Sequence, residues 1–175
     1  CEPFGKAFDE HNIWYNYSFD AAIKKIKSLR KSLAIIIDKI GLYEAASERF
    51  MPTLMLLSEL LYELEKTAEK RVWNDFREKL LSFNLPEKPN ARGFGGICVV
   101  SAVKTLFETI SKGTEKLKKL FERSAEENEE QFIYLDKPIS LLCEILICLQ
   151  ERLLEEYLKE NTLTFHNTEH LALKL

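Results

Sequence analysis

Glycine and proline are scarce and unevenly placed in this sequence. Of 6 Gly and 5 Pro in 175 residues, three Gly and two Pro fall within residues 84–96. An all-β sandwich or barrel needs turn residues at intervals of about 8–12 positions, which this chain does not supply. Long uninterrupted stretches carry apolar residues at helical spacing instead. The sequence therefore predicts an all-α, multi-helix domain, orthogonal or bundle-like, with no substantial sheet. With 46% hydrophobic and 30% charged residues it has enough apolar material for a core, which excludes a disordered chain or a pure coiled coil.

The aromatic residues of positions 1–19, Phe4, Phe8, Trp14, Tyr15, Tyr17 and Phe19, follow no clean period and read as an ordered arm. Ser18 or Asp20 can cap a first helix with Ile23, Ile26, Leu29, Leu33, Ile36, Ile37 and Ile40 on one face, ended by Gly41 as a C′ residue. A second helical region runs from Tyr43–Ser47 through Leu64, with Pro52 as either a first-turn proline or a kink. A third spans about Arg71 to Phe83. Residues 84–96 are the clearest loop and read as a hinge between two helical halves. A fourth helix is expected from Ile97 to Arg123, softened near Gly113, then a solvated acidic connection, Glu126 to Glu130. Pro138 is expected to start a long, central, buried helix from Ile139 to Lys159. Asn161 and Thr162 turn the chain, and Thr164 or Asn167 can cap a last helix.

No apolar stretch approaches the length of about 20 residues that a membrane span requires, and no basic-then-apolar leader opens the chain. Cys1, Cys98, Cys143 and Cys148 form no C-x-x-C pair, and three of them sit in apolar runs. Reduced, packed thiols in a cytoplasmic protein are the expectation. A start at Cys1 and a finish inside the apolar run Leu171–Leu175 lead us to expect a piece of a longer protein.

His166 to His170 spell H-x-x-E-H, which on a helix sets two imidazoles four residues apart, where they can share a zinc ion. A catalytic zinc needs a third ligand, and His11 is the only other histidine, so two surface histidines are the simpler account. Gly93 to Gly96 look superficially like a phosphate cradle, but no Lys stands where a P-loop requires one. No cofactor is expected in this stretch of chain. Phosphate contact is open to the basic stripe Lys24, Lys27 and Lys31, to Lys88 and Arg92 in the Gly-rich loop, and to Lys112, Lys116, Lys118 and Lys119. Trp14, Trp73 and Phe76 can stack on bases, although at helical spacing they fit a core equally well.

Residues 153–175 read Leu-Leu-Glu-Glu-Tyr-Leu-Lys, a short gap, then Leu163-Thr-Phe-His-Asn-Thr-Glu-His-Leu-Ala-Leu-Lys-Leu175. This run resembles the segment ahead of the Walker B strand in UvrD/RecB-like superfamily 1 helicases, above all the AddA-like helicase–nuclease subunits. Phe165, Glu169, His170, Leu171 and Ala172 match in place, while Asn167 and Thr168 stand where the family usually has Asp and Leu. The order of helices also resembles the 1B insertion of the first motor domain.

The resemblance implies a helical accessory domain over residues 1–160, followed at 161–175 by the helix returning to the motor. It also implies a bacterial, cytoplasmic parent that couples ATP- and Mg-dependent 3′-to-5′ DNA unwinding to exonuclease action in double-strand-break repair and recombination. ATP and Mg would bind in flanking sequence, so the fragment alone would be catalytically inert. Its partners would be DNA, the rest of the helicase chain and the second subunit of a helicase–nuclease complex. Lys88 and Arg92 would be the first phosphate contacts, with Lys24, Lys27 and Lys31 second. The competing expectation is an all-α protein-interaction or regulatory module without nucleic acid.

Overall fold

The structure is a computed structural model that describes residues 8–91, 94 and 96–159. It is all-α: five helices and no strand among the described residues, α1 Ile13–Gly41, α2 Glu44–Glu69, α3 Trp73–Leu81, α4 Ile97–Leu120 and α5 Ala125–Lys159. The described residues 8–129 belong to one compact unit, and the described residues from 130 onward belong to another.

Helix α1 begins five residues before Ser18, because Asn12 is the stronger start signal. Its side-chain oxygen accepts from the backbone N–H of Trp14 at 2.9 Å and of Tyr15 at 3.3 Å. Residues 13–19 are thus helix rather than arm. The buried residues Tyr15, Phe19, Ala22, Ile26, Leu29 and Leu33 step along one face by four and three. In α2 the sequence Phe50, Leu54, Leu57, Leu61, Leu64 and Ala68 does the same. Two such seams close on each other as an antiparallel pair when the connection is short, and here Leu42 and Tyr43 are the whole connection. Gly41 is the last residue of α1 and Leu42 caps it in the right-handed region (φ −75°), so Gly41 serves as a terminator without a left-handed C′ turn.

Pro52 lies inside α2, in its third turn, where it removes one hydrogen bond of the helical ladder. The α2–α3 corner turns on Arg71, whose φ of 54° places a non-glycine residue in the left-handed region. That geometry is held from several sides: the Tyr15 hydroxyl donates to the Arg71 carbonyl, and the guanidinium donates to Asn16 Oδ1 at 2.7 Å and to Asp20. Burial pushes the Tyr15 phenol above its usual pKa.

An aromatic cluster ties α1, α3 and the end of α4 together. The rings of Phe19, Trp73, Phe76 and Phe121 meet at centroid distances of 4.3 to 5.8 Å, and Phe8 joins through Trp73 at 4.7 Å. Buried Trp73 directs its indole N–H to the Arg123 carbonyl at 2.9 Å. Trp73 and Phe76 are therefore core, out of reach of a base, while Trp14 stays half exposed against Tyr17.

Residues 82–96 connect α3 to α4 within one compact unit, so this loop does not divide the chain into halves. Helix α4 passes unbroken through Gly113, because α1 packs there. A Cβ on Gly113 would meet Leu29 at 3.0 Å and Lys25 Cε at 3.1 Å, so the residue is small to admit α1.

The acidic run is helix rather than connection. Ser124 and Glu127 form a reciprocal capping box, the Ser124 hydroxyl accepting from the Glu127 N–H at 3.2 Å and the Glu127 carboxylate from the Ser124 N–H at 2.7 Å. Helix α5 thus starts at Ala125 and runs through Pro138. Hydrogen bonds from the Ser124 hydroxyl, a backbone amide and Asn74 hold the Glu126 carboxyl below the usual range.

The expectation of a central buried helix fails, since α5 has no buried residue at all. Leu142, Leu146 and Leu149 are each more than half exposed. The packed-thiol expectation fails with it: Cys98, Cys143 and Cys148 are free thiols, the first and last exposed and Cys143 half-buried. Cys1, the turn at Asn161, the last helix and His166–His170 lie outside the described residues.

Unfolding in urea separates the two kinds of apolar residue. Phe19→Ala, which empties a site at the centre of the aromatic cluster, is expected to cost about 3–5 kcal/mol, whereas Leu146→Ala on α5 should shift stability by less than about 0.5 kcal/mol.

Candidate nucleic-acid interface

Lys24, Lys27 and Lys31 do form one stripe on α1, since steps of three and four return to the same helical face. They are not electrically alike. Lys27 reaches Glu69 at 3.2 Å and Glu65 at 3.7 Å. Glu65 is buried on α2 and is also paired with Arg30. Arg30 lies over the Tyr62 ring, 4.9 Å from its centroid, and its Nε is buried without a hydrogen-bond partner among the described residues. This group cross-links α1 to α2, and its cations are already committed to carboxylates. Lys24 and Lys31 are exposed and form no ion pair among the described residues. They are the members of the stripe free to meet a phosphate.

Lys24 and Lys27 line a surface depression of about 540 Å³ with Asp20, Ile23, Glu69 and Arg71. Its lining alternates sign, because Asp20 pairs with Arg71 and Glu69 with Lys27. A phosphate entering there competes with these ion pairs for their cations, which lowers the net gain.

Lys88 is exposed and without an ion pair among the described residues. Its loop is fastened to the first half of α2: Arg49 Nε donates to the Asn90 carbonyl, and Phe94 packs edge-on against Phe50 at 5.3 Å. Glu65 and Glu69, which mark the place of Lys27, sit four to five turns farther along the same helix, roughly 25 Å away at 1.5 Å per residue. Lys88 and the α1 stripe therefore do not make one patch. Arg92 lies outside the described residues.

Among the later lysines, Lys118 has a structural role. Its ammonium donates to the carbonyls of Leu81 at 3.3 Å and Phe83 at 2.9 Å, closing the C-terminus of α3. Lys112 and Lys116 are exposed on either side of Gly113, over which Lys25 of α1 lies. Sequence reasoning passes over Lys25. The available signal is Gly113 itself, a glycine inside a strongly periodic helix that marks a close approach by another element. Among the described residues no three His, Cys, Asp or Glu side chains are grouped to hold a metal ion, and no helix is long and apolar enough to cross a membrane.

No family model, no curated protein and no solved structure matches this chain.

The two classes of charged residue separate on mutation. Glu65→Ala strips Arg30 and Lys27 of a buried counter-charge and is expected to cost about 2 kcal/mol in a urea melt. Lys27→Ala, which removes only a solvent-facing partner, should cost less than about 1 kcal/mol.

Proposed function

We propose that this chain is a DNA-contacting helical accessory domain of a UvrD/RecB-like superfamily 1 helicase, of the exodeoxyribonuclease V or AddAB type, acting in double-strand-break repair and recombination. The observation that carries the reading is the position of α5. This 35-residue helix exposes Leu142, Leu146 and Leu149, and in sequence it precedes the run Leu163–Leu175 that resembles the approach to the Walker B strand. A helical stretch apolar on most sides, as Leu141 to Leu149 is, calls for cover from other protein. In this reading the motor of the same parent chain supplies it. ATP, Mg and the bond-breaking chemistry belong to flanking domains of a bacterial, cytoplasmic parent, and the domain itself contributes charge and shape. Lys24, Lys31 and Lys88 are the phosphate contacts supported by exposure and by the absence of an ion pair among the described residues. Arg92 stays in the proposal on sequence grounds alone. Lys27 becomes secondary, since its charge is shared with Glu65 and Glu69.

A second reading, an all-α protein-interaction module without nucleic acid, draws on a different observation. The unpaired lysines are dispersed, and the depression beside Lys24 carries both signs of charge.

Titration of a forked DNA duplex at low salt decides between them. The helicase reading expects measurable binding that weakens steeply with salt. The triple change Lys24→Ala, Lys31→Ala and Lys88→Ala should reduce the slope of log K against log salt by about 3, at roughly 0.9 for each phosphate left without its lysine. Lys27→Ala should leave the slope nearly unchanged. An unchanged slope in the triple variant would remove those lysines from the interface, and no binding at low salt would favour the interaction module.

A further inference from the structure

The exposed face between α1 and α4 carries a feature that the DNA reading does not use. Ser32 and Ile35 of α1 and Ile97, Ala102, Thr105 and Thr109 of α4 are among the residues that line an apolar groove of about 780 Å³. Its origin lies in residue size. At Gly113 the two helices touch through Leu29 and Lys25. Beyond it, Ala102 and Thr105 leave α4 shallow while Ile35 and Ile97 stand up from the walls, the latter more than three-quarters exposed. The groove is open along its length.

Helical register places cations at both ends. Lys25, Ser32 and Lys39 stand seven residues apart on α1, so they share a face. On α4 the same interval carries Thr105 to Lys112 and Thr109 to Lys116. Since Lys25 lies over Gly113, the groove has Lys25, Lys112 and Lys116 at one end and Lys39 at the other. None of these four forms an ion pair among the described residues. Of the carboxylates nearby, Asp38 precedes Lys39 by one residue and so points about 100° away, whereas Glu108 and Glu115 follow the lining residue Ser101 at the same seven-residue interval and flank Lys112. Lys25, Lys116 and Lys39 have no carboxylate three or four residues away on their own helix and are the cations that mark the two ends.

We propose that this groove docks an amphipathic helix of a partner protein, apolar along one stripe and acidic at both ends. The dimensions fit. Lys25 to Lys39 spans fourteen helical residues, about 21 Å, the length of a four-turn helix at 1.5 Å per residue. An apolar trough between two helices is the usual seat for such a segment, and the terminal lysines select acidic ends by charge complementarity. A lipid chain is a poorer occupant, since a long open trough leaves one side of it in water. DNA is poorer too, because the middle of the groove offers neither a cation nor an aromatic ring.

The test uses the full chain and two fluorescein-labelled designed peptides of four turns. Both carry Leu at i, i+4, i+7 and i+11; one ends in Glu on both sides, its twin in Lys. The acidic-ended peptide should bind at least about ten-fold more tightly than the twin, as two solvent-facing ion pairs would give. The double change Lys25→Glu and Lys116→Glu should narrow or reverse that preference. Thr105→Trp, placed at an exposed position that fills the trough, should abolish binding while circular dichroism and the urea melt stay unchanged. Equal affinity for the two peptides, or indifference to Thr105→Trp, would overturn the proposal. So would displacement of the peptide by oleate or by forked DNA, and so would self-association of the chain that excludes the peptide, which would assign the groove to a second copy.

Discussion

The meeting of Phe19, Trp73, Phe76 and Phe121 fixes where α1, α3 and α4 can be. Each ring comes from a different part of the chain or a different turn, and each is buried. Together they bring residues 19 and 121 within one ring contact, 5.4 Å between centroids. Close-packed aromatic edges and faces tolerate little sliding. Once they have met, the start of α1, the whole of short α3 and the end of α4 are set. The heptad-spaced seam of α1 and α2 then has a single register to close in, and Gly113 becomes the point at which α4 lies against α1.

Much of this is legible in the sequence for a simple reason. Leu29, Leu33, Leu57, Leu61 and Ile110 recur at helical spacing because they are buried, and periodicity records burial. The misreadings have equally physical causes. Aromatic residues near the N-terminus hide a helix start, since Asn12 is a cap and Tyr15 and Phe19 already obey the period of α1. The acidic run looks like a connection because charge suggests solvent, yet Ser124-x-x-Glu127 is a capping box that announces a helix. In α5 the step from apolarity to burial breaks down. A residue that another protein would cover is as apolar as a core residue, and a sequence does not say which of the two it is.

The candidate site is legible in type but not in arrangement. The stripe of Lys24, Lys27 and Lys31 is real as a helical face. Its central member is nevertheless bound into a cross-link with Glu65 and Glu69 on α2. No spacing rule along one helix reports the carboxylates of the next. The separation of Lys88 from that stripe likewise follows from a loop anchored by Arg49 and Phe50. What emerges is a folded body with the exposed, uncommitted Lys24, Lys31 and Lys88 among its lysines, a basic-ended trough and one long helix with apolar flanks. In the proposed reading each belongs to a part that works in contact with larger structures.

Helix α5 is central to the proposed reading, because it has no buried residue and is not a member of the core. Native-state hydrogen exchange of the chain tests this directly, residue by residue. Amides around Phe19, Leu61, Phe76 and Ile110 should exchange only through global unfolding. Amides from Ile139 to Leu158 should exchange orders of magnitude faster, through local opening. Equal protection of the two sets in a monomeric chain would contradict the account, because α5 would then unfold only together with the core.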